Sequence, residues 1–166
     1  MFQLKTLSRE AIARSLEKAE RYRLLNEPAE AESICLDILQ IDPQNQTALV
    51  MLLLAFTDQF DKRLGPALNQ ARELLPHLQG AYERAYYAGI ICERRAKAWL
   101  HHDGPGSAAA AYDCFREAMN WYEKAEAVCP PGNDDPALRW NTCARLLMRN
   151  PRLQPASAER TEPPLE

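Results

Sequence analysis

Three groupings in this 166-residue chain carry side chains that could do chemistry. The first is His101-His102-Asp103, two imidazoles beside a carboxylate. Neighbours on a helix point about 100° apart, so at best one ring and Asp103 converge. Zinc asks for three or four ligands, and a histidine near a helix C-terminus has an electrostatic reason to stand there without metal. The second grouping is five cysteines, Cys35, Cys92, Cys114, Cys129 and Cys143, scattered singly with no Cys-x-x-Cys spacing; they read as small core residues rather than metal or dithiol ligands. The third is the carboxylate pair Glu30 and Glu32, which fall on different faces of a helix and serve solubility better than acid–base work. A Gly-rich phosphate loop, a His-Glu-x-x-His helix and a nucleophile elbow are all missing from the sequence. These residues predict a protein that is not an enzyme and holds neither cofactor nor metal.

Other clusters suit contact better than reaction. Arg94, Arg95 and Lys97 adjoin Glu93, which fits a solvated face or a seat for an acidic partner segment. Trp99, Trp121 and Trp140 fit hydrophobic staples between helices, with a ligand cage as the other reading. Twenty Lys and Arg against 23 Asp and Glu give a net charge of −3, so no overall positive field exists to condense a nucleic acid. No apolar run approaches the ~18 residues that span a bilayer, so no membrane association is expected. The start, MFQLKTLSREAIARS, turns polar too soon for a secretory segment. With an odd cysteine count, that predicts a reducing compartment, the cytoplasm.

The elements that must position these residues are all helical. Ile12, Leu16, Ala19 and Tyr22 recur at helical steps in a segment from Ser8 to Leu25, with Ser8 as N-cap. Pro28 opens a second helix through Ala31, Cys35 and Ile38. Asp42-Pro43 then predicts a stop and a restart, Asp42 capping and Pro43 sitting at the first helical position. The third helix, QTALVMLLLAFTDQF, is apolar on almost every side and so is expected between neighbours. A short fourth follows LGPALNQARELL and ends near Leu75, ahead of Pro76. Two long helices, Ala81 to His102 and Ser107 to about Val128, flank an Asp103-Gly104-Pro105-Gly106 turn, with Ser107 as cap. Asp135-Pro136 opens a seventh. Residues 150–166 hold four prolines and few large apolar side chains, which predicts a disordered tail after a single helical domain over 1–149.

Seven helices on short loops call for a search for repeats. Pro43, Pro76 and Pro130 each close a second helix and stand five residues after Ile38, Ala71 and Ala125; they are separated by 33 and 54 residues. Ala19, Tyr22, Ala31 and Pro43, then Ala85 or Gly89 with Ala118, Tyr122, Ala125 and Pro130, occupy small, aromatic and proline positions. In these residues the chain resembles the tetratricopeptide repeat family, whose unit is about 34 residues. The resemblance covers about residues 8–131, with a degenerate second repeat at Leu52, Leu64 and Leu68, a lengthened third hairpin, and 134–149 as a capping helix. It implies an all-α fold of stacked antiparallel hairpins, an α–α superhelix.

It also implies that the first helix of each pair lines a concave groove for a peptide or partner helix. The expected lining is Leu16, Glu20 and Arg23, then Leu49, Leu53 and Phe56, then Tyr82, Tyr86, Ile90, Glu93 and Lys97. Two readings stay open at this point: an open apolar and aromatic groove, or a stripe filled by the long hairpin or the tail and therefore core. The lysine and asparagine set with which one subgroup of the family captures C-terminal carboxylates is missing, since Lys18 is followed four residues later by Tyr22. The expectation is a non-enzymatic adaptor or scaffold for a protein or peptide partner, monomeric or weakly homo-oligomeric. Competing expectations are a small-ligand or catalytic bundle with a pocket beside Tyr112, Phe115 and Met119, and a self-associating structural protein.

Overall fold

The computed structural model describes residues 1–156, and among them every regular element is helical. The fold is all-α, with seven α-helices, as the hydrophobic periodicity predicts. The described chain divides into two compact units, Met1–Gln79 and Gly80–Glu166. The expected tail from residue 157 onward lies outside the described residues. Residues 150–156 are described, and Leu153 within them is buried, its N–H donating to the Asn150 carbonyl at 2.9 Å.

The first unit holds α1 (Ile12–Leu24), α2 (Pro28–Ile41), α3 (Gln46–Thr57) and α4 (Phe60–Leu74). Each helix packs on the next, and α1 also reaches α3. Alanines make this closeness possible. Ala19, Ala31, Ala48, Ala55, Ala67 and Ala71 are all fully buried, so backbones approach where a larger side chain would hold them apart, while Ile38, Leu53, Phe56 and Phe60 fill the remaining space. A 3-10 turn, Arg9–Ala11, precedes α1, and Ser8 stands before it without a side-chain capping bond.

Two joints differ from expectation. Asp42 ends α2 rather than capping α3; the cap is Asn45, whose Oδ1 accepts from the Ala48 N–H at 3.0 Å. Asp42 supports that cap indirectly, its carboxylate accepting from Asn45 Nδ2 at 3.1 Å. Pro43 falls in the turn, three residues before Gln46, the first residue of α3, so it begins no helix. In α4, Arg63 leaves helical geometry at φ −148° and ψ 53°. Pro66 explains it, because a proline ring clashes with the carbonyl four residues back and lacks the N–H that would bond to it. The helix expected from Leu64 is the part of α4 beyond this break.

The second unit holds α5 (Ala81–His101), α6 (Ser107–Ala127) and α7 (Asp135–Arg149). α5 and α6 are 21 residues each, about 32 Å long, and form a long hairpin on which α7 packs through α6. The hairpin turn ends at Gly106, which takes φ +79° as the residue before α6. Ser107 is therefore inside the helix and not its cap; its hydroxyl donates back to the Gly104 carbonyl at 2.7 Å. Gly89 on α5 sits against Tyr122 of α6, and a Cβ there would lie 2.5 Å from the ring. Pro136 occupies the first turn of α7, where a missing N–H costs nothing.

Candidate functional site

The stripe expected along α5 carries a buried, hydrogen-bonded carboxylate, Glu93. Glu93 is 1% exposed, and both of its oxygens are taken. Lys97 Nζ, one turn on, donates to Oε1 at 2.5 Å, and Arg139 of α7 donates to the same atom at 3.2 Å. The Tyr122 hydroxyl donates to Oε2 at 2.7 Å. A buried charge is tolerated when it is paired and hydrogen-bonded. Burial by itself would raise the carboxyl's pKa; the hydrogen bonds from Lys97 and Tyr122 and the charges of Lys97 and Arg139 outweigh it, so the group is held below its ordinary value. Tyr122 moves the opposite way, its pKa pushed up by burial and by the facing carboxylate. It is a permanent donor.

Around this carboxylate the tyrosines form a stack. Tyr82 and Tyr86 lie nearly parallel with centroids 5.5 Å apart, and Tyr86 is 5.9 Å from Tyr122. The Tyr82 hydroxyl accepts from Asn133 Nδ2 at 3.0 Å, and burial pushes its pKa up to about 12. The Tyr86 hydroxyl bonds to Arg139. Ile90 is buried and Glu93 is buried, so neither lines an open groove; Tyr82, Tyr86 and Lys97 are half-buried. The physical reason is that α7 and the loop before it lay Arg139 and Asn133 over this stripe.

In the first unit Leu49, Leu53 and Phe56 are core, with exposures of 4%, 0% and 4%. A helix that is apolar on nearly every side gives no periodic signal for which stripe faces inward. Its half-exposed side carries Met51, Leu54 and Asp58 instead. On α1, Leu16 is half-buried, Glu20 is exposed, and Arg23 reaches across to α3. Arg23 Nε donates to Asp58 Oδ2 at 2.6 Å, and its Nη1 lies 4.0 Å from the Met51 sulfur. Leu16, Glu20, Arg23, Met51, Leu54 and Asp58 thus form one mixed face of α1 and α3. Met51, Leu54 and Asp58 escaped the sequence reading because α3 is apolar on almost every side, so no stripe along it stands out. The Arg23 and Asp58 charges, 35 residues apart, were the available signal.

Burial raises Cys35 and Cys143 to about 12, far from thiolate formation. Among the described residues no three metal-ligating side chains converge. Phe115 and Met119 are buried in the α5–α6 hairpin, and Tyr112 is half-buried. Of the tryptophans, Trp140 ties α7 to α6 through a 2.9 Å bond to Glu123, Trp121 lies under the Lys124 ammonium, and Trp99 stands edge-on to His102. No helix of the described residues is long and apolar enough to cross a membrane. No family model matches the chain, and no curated protein or solved structure matches it.

Proposed function

We propose that this protein is a non-enzymatic interaction module of tetratricopeptide type, presenting the α1–α3 face of its first unit to a peptide or helix of a partner protein in the cytoplasm. The observation that carries the reading is the pairing order of the first unit. α1 touches α3 as well as α2, which is how the first helices of successive hairpins come side by side in a stacked array. Such an arrangement offers a preformed surface, so a partner binds without ordering the scaffold. The face has a thioether and a leucine for apolar contact, flanked by the Arg23–Asp58 pair and by Glu20.

A photo-crosslinking amino acid placed at Met51 or Leu54 tests it, with the same group at Glu30 on α2 as control. The expected result is a defined adduct from α3 positions in native extract, absent from the control and lost with Arg23→Glu at unchanged helicity. Equal labelling from both faces would refute the assignment.

A further inference from the structure

On a different surface of the first unit, independent of the α1–α3 reading, residues 1–8 run as a non-helical arm beside α2. Leu4 and Lys5 of the arm, with Leu36, Asp37 and Leu39 of α2, enclose a surface cleft of about 560 Å³. Leu36 and Asp37 share the cleft with residues one turn away on α2, so the helix contributes one continuous face to it. Next to the cleft the arm leaves Phe2 fully exposed and Leu4 71% exposed, while Leu36 on the helix is 46% exposed. Large apolar side chains gathered this way, beside a recess able to take one, mark an interaction surface rather than scattered surface hydrophobicity.

We propose that the occupant of this surface is a second copy of the chain, docked about a two-fold axis. Such an interface requires one patch to carry both the projecting and the receiving part, since every contact is made twice with roles exchanged. This patch carries both: Phe2 projects, and the recess between the arm and α2 receives. The charges obey the same rule. Lys5 on the arm and Asp37 on α2 line the same cleft with opposite signs, and neither side chain has an ion-pair or hydrogen-bond partner among the described residues. A wholly acidic or wholly basic partner would meet one like charge. A second copy brings Lys5 to Asp37 and Asp37 to Lys5, so both pairs form together.

Sedimentation equilibrium over a wide concentration range, on protein with no tag ahead of the arm, tests the proposal. The mass of the native chain should rise from 18.9 kDa toward twice that value. Phe2→Glu and Leu36→Glu should stay monomeric at unchanged helicity, both positions being at the surface. Lys5→Asp and Asp37→Lys should each self-associate roughly tenfold more weakly. Mixing these two variants in equal amounts should restore the native behaviour, because the mixed dimer regains both opposite-charge contacts. A native chain that stays monomeric throughout would overturn the proposal, as would a dimer indifferent to Phe2→Glu. So would a mixture no stronger than its components, the result expected if the arm instead serves another protein or a lipid surface.

Discussion

The two units of this chain solve the same packing problem by different means. In the first, four short helices close on each other through fully buried alanines, and the side-chain polar contacts between helices, such as Arg23–Asp58 and Gln59–Glu32, are isolated pairs. In the second, two long helices and a third are joined through a buried carboxylate that takes hydrogen bonds from α5, α6 and α7 at once. Apolar packing tolerates repacking, because its interactions are non-directional. A satisfied polar network does not, since losing one member leaves the others without partners. The first unit should therefore bend under substitution where the second breaks.

All three tryptophans lie in the second unit, so their fluorescence follows that unit while circular dichroism follows both. The largest expected effect is Tyr122→Ala, which empties a fully buried ring site and removes the donor to Glu93. A loss of about 4 kcal/mol is expected, read as an early fluorescence transition in urea. A substitution in the first unit with the same effect on fluorescence would erase the contrast. Next is Glu93→Gln, with an expected cost of about 2 kcal/mol at neutral pH; it is no larger because Lys97 and Arg139 keep about a third of their side chains in water.

The same group sets an acid limit. The folded carboxyl titrates below its ordinary value of 4.5, so its contribution is complete above that pH and is lost as pH falls through the folded value. Urea titrations from pH 7 downward should show the native second unit weakening in acid below about 4.5. The Glu93→Gln protein should lack that component of the slope.

Gly89→Ala is a smaller and sharper test. In an open helix interior this change stabilises by about 1 kcal/mol. Here the new Cβ meets the Tyr122 ring, and a net loss of about 1–2 kcal/mol is expected. A gain would mean that the ring moves freely. The smallest effect is Arg23→Ala in the first unit, about 1 kcal/mol for an isolated, partly buried ion pair. A thermal melt followed by circular dichroism should shift down by a few degrees at most.

Proline and glycine positions made the helices legible, since each breaks or starts a helix through its own backbone chemistry. The joint at Asp42-Pro43 was read as a cap because Asp and Asn cap equally well. Only the path of the chain shows that Asn45 is the one at the helix start. Glu93 with Lys97 was visible as a pair four residues apart, yet it looked like a solvated face. What buries it are Tyr122 and Arg139, 29 and 46 residues away, and no local pattern encodes contacts at that range. The α3 stripe was unreadable for the opposite reason: with apolar residues on almost every side, every frame looked equally good.

The notch at Gly89 also governs how the two long helices can move. A ring seated where a neighbouring backbone has no Cβ acts as a key in a keyway. α5 cannot slide by a turn along α6, or roll about its axis, without first withdrawing that key. Rocking of the hairpin as a rigid lever remains available, whereas shear between its arms does not.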